Sequence, residues 1–281
     1  MIIPAPVTRF LTMSLEEDLG PGDITSGLLL TGQQKSKAVF ISKSKNGFVV
    51  AGLPFASEVF RLVDEDIKFK PLVKEGSFVQ KGAVLAGITG NTASLLAAER
   101  VSLNILQHLC GVATLTRSYV QAVRDFPPAK IVDTRKTTPS MRYMEKYAVR
   151  MGGGGNHRFG LYDGILIKDN HIKAAGGIKK AVEMAKKGRM HHLLKIEVEV
   201  EDLRGLKAAL DAGADVIMLD NMSIPMMERA VLLCGKRALL EASGNVTLAN
   251  VREIARTGVD LISTGAITHS APAADISMRI V

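Results

Sequence analysis

Short apolar runs alternate with helical patterns from about residue 130 onward, and this alternation constrains the fold more than any other feature of the chain. The runs are KIVDT, DGILIKD, LKIEVEV, DVIMLD, ALLEASG and DLISTG, and the helical patterns fall at 141–150, 178–187, 203–210, 225–233 and 248–256. Strands that alternate with helices are typical of repeated βα units. The sequence therefore predicts an α/β fold around a parallel sheet.

Polar residues follow nearly every apolar run. They are DTRK at 133–136, KDNH at 168–171, Glu199, Asp220-Asn221, EASG at 241–244 and Thr264-Gly265. In a closed barrel the carboxyl ends of all strands converge on one face, whereas a doubly wound sheet uses mainly the ends near its switch point. Polar residues at so many ends favour the barrel.

The first 110 or so residues have a different pattern, which predicts a second, structural domain. β-like runs occur at 38–42, 47–51 and 83–88, and a helical pattern follows at 92–108. Pro127-Pro128 is expected near the junction, because consecutive prolines exclude both a helix and a central strand.

The charge and composition indicate a small anionic ligand. A net charge of +8 and a pI near 9.5 favour anionic partners. The chain has no Trp, only four Tyr and no aromatic-plus-basic repeat, which argues against a nucleic-acid surface. A generally basic surface without a ligand is the other interpretation that composition leaves open.

Cysteine usage and hydropathy indicate an ordinary cytoplasmic protein. Cys110 and Cys234 stand alone in apolar stretches, so we expect two core residues and neither a zinc site nor a disulfide. There is no apolar run of about 18 residues and no basic segment followed by an apolar one at the start. We therefore expect a soluble protein with no membrane partner.

A dense group of cations lies between Asp133 and His171, around a run of four glycines at 152–155. Its members are Arg135, Lys136, Arg142, Lys146, Arg150, His157, Arg158 and Lys168. Uncompensated charge beside apolar strands is costly, and guanidinium groups suit carboxylates and phosphates. Arg142, Lys146 and Arg150 follow helical spacing and are interpreted as exposed helix surface. His157 alone is equally compatible with a structural hydrogen bond or a ligand contact.

Two carboxylates and two Gly-containing turns complete the candidate site. Glu199 and Asp220 end successive strand-like runs, which places both on one rim as metal ligands or as a counterweight to a developing cation. Ser243-Gly244 and Thr264-Gly265 end the last two runs, where barrels commonly bind a phosphate.

With these residues, the sequence resembles the quinolinate phosphoribosyltransferase family over nearly the whole chain. The matching segments are EEDLGPGDIT, ERVSLNILQHLCGVAT, DTRKTTP, EKYAVRMGGGGNHRFGLYDGILIKDNHI, IEVEV, AGADVIMLDN, EASG and TGAITHSAP. The resemblance implies transfer of phosphoribosyl from phosphoribosyl pyrophosphate (PRPP) to quinolinate with decarboxylation, giving nicotinate mononucleotide, pyrophosphate and CO2 in NAD biosynthesis.

The resemblance also implies an architecture. It comprises an N-terminal α/β sandwich at residues 1–112, joined by the C-terminal tail 268–281, and an open seven-stranded α/β barrel at residues 113–267. A homodimer is implied, in which Arg100 of one subunit reaches the substrate carboxylates in the other.

Roles for individual residues follow from the same resemblance. The rest of the quinolinate pocket is implied to be Thr134, Arg135, His157, Arg158 and Lys168. The residues implied to carry catalysis and to hold PRPP with its magnesium are Lys136, Glu199 and Asp220. The 5′-phosphate is implied to lie against Ser243, Gly244 and Gly265. Asn245 stands where the family frequently has Gly.

Two other functions compete with this one. A nicotinate phosphoribosyltransferase without decarboxylation would bind a single carboxylate, and the surplus of Arg and Lys argues against it. A basic RNA-binding module on an inactive barrel would not need Lys136, Glu199 and Asp220 together.

Overall fold

A computed structural model describes residues 2–188 and 193–281, which form two compact units. Unit 1 comprises Met1–Arg117, Thr137–Gly153 and Ser270–Val281, and unit 2 comprises Ser118–Lys136 and Gly154–His269. Helix α4, Thr92–Val123, runs through the boundary at Arg117. Among the described residues, no helix combines the length and apolar character needed to cross a membrane.

Unit 1 is a mixed α/β sandwich. Its strands are β1 (Lys35–Ser42), β2 (Phe48–Val49), β3 (Lys68–Pro71), β4 (Phe78–Val79), β5 (Val84–Asn91) and β12 (Ile276–Ile280). Besides α4, its helices are α1 (Ala5–Leu19), α2 (Ile24–Leu29), α3 (Leu53–Val63) and α5 (Arg142–Met151). The main sheet has the antiparallel order β12-β1-β5-β3, so the C-terminal strand pairs with β1.

Aromatic packing forms the core of unit 1. Phe40 on β1 and Phe60 on α3 are fully buried, with ring centroids 5.9 Å apart. Phe69 on β3 lies 5.9 Å from Phe40 and 5.8 Å from Phe60. Alternate residues of β1 are buried, as expected for a strand with one face on a core.

Unit 2 is built on a parallel sheet of six strands in the order β6-β11-β10-β9-β8-β7. The strands are β6 (Lys130–Val132), β7 (Ile165–Ile167), β8 (Ile196–Val200), β9 (Val216–Asp220), β10 (Leu239–Ser243) and β11 (Leu261–Ser263). Each lies in one of the six apolar runs, so the predicted α/β fold with a parallel sheet is confirmed.

The predicted number of seven strands needs a correction. The seventh position holds only an isolated parallel bridge between Val132 and Gly155. Gly155 donates its N–H to Ile131 O at 2.8 Å and accepts from Asp133 N at 3.1 Å. The glycine run has no side chains with which to pack as a strand, so pairing there is limited to one residue. The sheet is thus six strands and a bridge.

The helices of unit 2 agree with the predicted patterns. They are α6 (Asp169–Ala175), α7 (Ile178–Gly188), α8 (Leu203–Asp211), α9 (Ile224–Cys234), α10 (Val251–Arg256) and α11 (Ala266–His269), of which α6 and α11 were not predicted. Successive helices α7 to α10 contact one another. The two cysteines, Cys110 and Cys234, are buried and unpaired, as predicted.

Helix α5 corrects one interpretation. Arg150 is exposed and Arg142 half-buried, but Lys146 is buried at 2% exposure and is therefore not a surface residue. The prediction failed because six consecutive residues of the helix, Met144–Val149, are buried. Within unit 1, the Tyr147 ring lies 5.3 Å from that of Phe55. Contacts of this kind group Thr137–Gly153 with unit 1, whereas residues 113–267 were expected to form one domain.

Candidate active site

One cavity of about 590 Å³ lies at the carboxyl ends of the unit 2 strands. Ten predicted site residues line it: Thr134, Arg135, Lys136, His157, Arg158, Lys168, Glu199, Asp220, Ser243 and Gly244. The cavity is also lined by Leu166, Met218, Asn221, Glu241, Asn245 and Ser263. Polar residues that are far apart in the sequence therefore surround one space.

The strands place these side chains by their two-residue period. Alternate residues of a strand point to the same face. The resulting pairs are Glu197 and Glu199 on β8, Met218 and Asp220 on β9, and Glu241 and Ser243 on β10. Ser243 is in register with Asp220, and Met218 with both Glu199 and Glu241. The second member of each pair is half-buried and nearer the strand end, whereas Glu197 and Glu241 are buried one alternation earlier in their strands.

Asp133 holds the loop that carries His157. This fully buried residue follows β6, and its Oδ1 accepts the His157 backbone N–H at 2.8 Å. Its Oδ2 accepts from Asn156 Nδ2 at 2.6 Å. The Arg158 N–H donates in turn to His157 Nδ1 at 2.8 Å. The loop after the glycine run is thereby fixed to the end of β6.

Arg158 is a partly desolvated cation. Its Nη1 donates to Gly164 O at 2.9 Å, while its Nε is buried without a hydrogen-bond partner among the described residues. Burial, with the neighbouring positive charge of Arg135, lowers the pKa of Arg158. A buried donor without a partner is costly unless a ligand supplies an acceptor. These features suit an anion.

Lys168 and Glu199 form an ion pair at the rim. Lys168 Nζ lies 2.8 Å from Glu199 Oε2. The Lys168 backbone N–H donates to His171 Nδ1 at 3.0 Å, which fixes Lys168 at the start of α6. Asp220 Oδ2 accepts from Asn221 Nδ2 at 3.1 Å. The rim thus offers carboxylate oxygens, the ligands that magnesium prefers.

A deeper cluster comprises His157, Glu197 and Glu241, with one potential ligand atom from each lying within 4.8 Å of the others. His157 Nε2 lies 3.0 Å from Glu197 Oε2 and 3.7 Å from Glu241 Oε2. Burial and the neighbouring Glu197 raise the pKa of Glu241 to about 7. In the described part of the chain, Glu197 Oε1 and Glu241 Oε1 have no hydrogen-bond partners.

The other side of the cavity has a tight backbone turn. Gly244 has φ 93°, and a Cβ there would collide with the Asn221 side chain. Asn221 and Asn245 are also left-handed, at φ 51° and 49°, and Asn245 Nδ2 donates to Asn221 Oδ1 at 3.0 Å. Left-handed turns orient backbone N–H groups in a way that suits anions.

Gly265 lies next to Lys136. A Cβ on Gly265 would be 2.9 Å from Lys136 Cδ, so the glycine leaves room for the lysine side chain. Thr268 Oγ1 donates to Lys136 O at 2.7 Å, and Lys136 N–H donates to Thr134 Oγ1 at 3.0 Å. Lys136 is therefore held from both sides.

Arg100 belongs to the predicted set but lies in unit 1, and four further residues lie at or next to the cavity without a predicted role. Arg100 is exposed on α4 in unit 1, and its expected role across a dimer remains a prediction. Sequence reasoning assigned no role to Glu197, Glu241, Asn221 or Asn245. The two-residue period of LKIEVEV and ALLEASG would have placed Glu197 with Glu199 and Glu241 with Ser243.

Fold and cavity together define a class, the α/β proteins in which the carboxyl ends of parallel strands surround a cavity lined by cationic and acidic side chains. Family models identify the class more closely. Residues 23–110 match the model for the quinolinate phosphoribosyl transferase N-terminal domain, and residues 112–279 match that for the C-terminal domain.

Individual relatives agree with the family models. A probable carboxylating nicotinate-nucleotide pyrophosphorylase from Synechocystis is 46% identical over 291 residues, covering 99% of this chain and 97% of that protein. A Bacillus subtilis protein of the same description is 46% identical, covering 94% and 90%. The solved structure of the nicotinate-nucleotide pyrophosphorylase from Francisella tularensis has TM-score 0.94 and 41% identity, covering 100% and 98%. The chain belongs to the quinolinate phosphoribosyltransferase family, which confirms the resemblance.

Proposed function

We propose that the chain transfers phosphoribosyl from PRPP to quinolinate with decarboxylation, and that it yields nicotinate mononucleotide, pyrophosphate and CO2 for NAD biosynthesis. The observation that carries the proposal is the cavity at the carboxyl ends of the unit 2 strands, where Arg135, Arg158 and Lys168 lie with Glu199 and Asp220. Its charges match an acid with two carboxylates and a donor with three phosphate groups.

The dicarboxylate is assigned to the cation-rich side. Arg135, Arg158 and Lys168 would bind its carboxylates, with Thr134 and His157 beside them. The buried Arg158 Nε supports this assignment, because it has a donor to offer and, among the described residues, no acceptor. Binding a carboxylate there would also relieve the repulsion between Arg158 and Arg135.

The phosphoribosyl donor is assigned to the opposite side. Ser243, Gly244 and Gly265 would bind the 5′-phosphate, because the tight turn at Gly244 lets backbone N–H groups approach it. Lys136 would contact the pyrophosphate. Glu199 and Asp220 would hold the magnesium that accompanies PRPP, which neutralises charge on the departing pyrophosphate.

The cavity suits the chemistry of the transfer. Departure of pyrophosphate leaves positive charge on the ribose C1, which Glu199 and Asp220, both lining the cavity, would stabilise. The pyridine nitrogen then attacks C1. The resulting pyridinium favours loss, as CO2, of the adjacent carboxylate, which Arg158 and Lys168 would keep oriented, and a proton from water then takes its place on the ring carbon.

We also propose that a homodimer is the working form. Arg100 is exposed on α4 and would reach the substrate carboxylates bound in another copy of the chain. A cytoplasmic location likewise remains a prediction from the sequence.

A direct assay tests the proposed function. Purified protein is incubated with PRPP and magnesium together with quinolinate, or with nicotinate in a parallel reaction, and nucleotide and CO2 are measured. We expect product and CO2 from quinolinate alone. If the protein turned over nicotinate but not quinolinate, the proposal would be overturned. If it turned over neither acid and bound RNA in a salt-dependent way, the RNA-binding alternative would be favoured.

A further inference from the structure

We propose that His157 is a positioning residue, which links Glu197 to the backbone of Arg158 and so orients the Arg158 guanidinium, and that it makes no direct hydrogen bond to the substrate. This inference rests on the proposed quinolinate function. It assigns a role to Glu197, a buried residue that the proposed function does not use.

The Nδ1 atom of His157 is a hydrogen-bond acceptor. The Arg158 backbone N–H donates to it at 2.8 Å. A ring nitrogen that accepts an N–H cannot carry a proton itself, so the neutral imidazole has its proton on Nε2.

The Nε2 atom of His157 faces two carboxylates. It lies 3.0 Å from Glu197 Oε2, within hydrogen-bonding distance, and 3.7 Å from Glu241 Oε2. The Nε2–H group therefore points to a buried carboxylate, since the side chains of Glu197 and Glu241 are only 10% and 1% exposed. Both ring nitrogens are thus directed at protein atoms.

The His157 ring and Asp133 together hold two successive backbone N–H groups. Asp133 fixes the His157 backbone N–H, and the ring fixes the next N–H, that of Arg158. At its far end the Arg158 side chain donates to Gly164 O at 2.9 Å. Hydrogen bonds thus hold both the backbone N–H and the Nη1 atom of Arg158. The remaining N–H groups of its guanidinium therefore have a defined direction. Geometry of this kind is what bidentate binding of a carboxylate requires.

A metal ion is the competing interpretation of the same cluster. His157, Glu197 and Glu241 have a suitable donor set within 4.8 Å. A metal bound by Nε2 would require the proton to be on Nδ1, facing the Arg158 N–H at 2.8 Å. Two donors would then oppose each other, so the observed contact favours the hydrogen-bonded arrangement.

The tautomer can be measured without substrate. The whole protein, labelled with ¹⁵N in its histidines, is examined by long-range proton–nitrogen NMR at pH 7.5, and the His157 signals are assigned by their loss in His157→Gln. We expect a protonated Nε2 and an unprotonated Nδ1. A protonated Nδ1 would overturn the proposal, as would about one equivalent of zinc or manganese in the purified protein.

Two substitutions of His157 separate positioning from direct contact. Asn places an oxygen near the position of Nδ1 and can still accept from Arg158, whereas Gln places its amide near Nε2. We expect the KM for quinolinate to be roughly tenfold lower in His157→Asn than in His157→Gln. A tenfold change corresponds to the free energy of about one hydrogen bond. The reverse order would show direct contact through Nε2. The KM for PRPP should stay unchanged in both.

Glu197 gives a matched pair. Glu197→Gln keeps an oxygen for the Nε2–H and should change the quinolinate KM less than threefold, while Glu197→Ala should raise it about tenfold. Glu201→Ala, which removes an exposed carboxylate after the same strand, is the control. Equal effects of Gln and Ala would overturn the role of Glu197. If the wild-type protein does not turn over quinolinate, the proposed function fails, and the NMR result still decides the tautomer.

Discussion

Each unit of the molecule contains a buried glutamate near a histidine, but their surroundings differ. In unit 1, Glu145 is fully buried; His108 Nε2 lies 2.8 Å from its Oε1, and its Oε2 accepts from Thr138 N at 3.1 Å. In unit 2, Glu241 is as deeply buried, yet its Oε1 has no hydrogen-bond partner among the described residues. Burial alone therefore does not distinguish a structural carboxylate from one at a binding site.

A second carboxylate extends the comparison. Glu75 in unit 1 accepts hydrogen bonds from Gly52 N at 2.8 Å, Leu53 N at 2.9 Å and Tyr147 Oη at 2.8 Å. Unit 1 thus uses its acidic side chains to join loops and helices. Beside the cavity of unit 2, Glu241 and Arg158 each have a buried polar atom that finds no hydrogen-bond partner among the described residues, and an anionic ligand can offset the cost at Arg158.

Arg158→Ala should show the largest effect of this difference. We expect a fall of about 10³-fold in kcat/KM for quinolinate, since losing one partner of a buried charged pair costs roughly 4 kcal/mol. Arg158→Lys should be intermediate because it keeps the charge without the planar fork. Steady-state kinetics measure both, with the exposed Arg204→Ala as control. Full activity in Arg158→Ala would remove the binding role assigned to this cation.

Arg100 would give unit 1 a chemical role in addition to its structural one. We expect Arg100→Ala to lower kcat/KM for quinolinate about 10²-fold, and Lys168→Ala to be similarly impaired. Mixing the two variants should restore about a quarter of wild-type activity, since half of the dimers are mixed and each has one intact site. Activity is measured after subunit exchange has been verified. No rescue would mean that the site is not shared.

The pH dependence of stability should distinguish Glu241 from an ordinary carboxylate. Because its pKa is raised to about 7, the folded state holds a proton that the unfolded state has lost between about pH 4.5 and 7. Stability therefore falls as pH rises through that window, by roughly 3 kcal/mol. Denaturant unfolding should show Glu241→Gln gaining stability relative to wild type over the same range. If the difference in unfolding free energy between Glu241→Gln and wild type did not change with pH, the raised pKa of Glu241 would be contradicted.

The same substitution in unit 1 should have the opposite sign. Glu145→Gln replaces the carboxylate that contacts His108 Nε2 and accepts from the Thr138 N–H by a neutral amide, which weakens both hydrogen bonds and should cost about 1–3 kcal/mol. Unfolding at pH 8 measures the loss, with the exposed Glu183→Gln as control. A neutral result would mean that the hydrogen bonds of Glu145 contribute little.

Much of unit 2 could be predicted because its signals are local. A run such as DVIMLD is apolar enough to be a buried strand, and Asp220 at its end faces the cavity. The failures occurred where packing decides. Lys146 was interpreted as exposed from its spacing, but α5 is covered on several sides. In place of the predicted seventh strand there is an isolated bridge at Gly155, a residue that has no side chain to pack.

Hydrophobic periodicity acts over a few neighbouring residues, so the strands of the parallel sheet and the polar residues at their ends can be recognised from the amino-acid sequence. The tertiary structure alone decided how those ends combine. It brought Glu197, Glu241 and His157 together from three separate segments and turned Asn221 against Gly244. Such contacts depend on strand register and on φ angles, which cannot be read from local patterns in the amino-acid sequence.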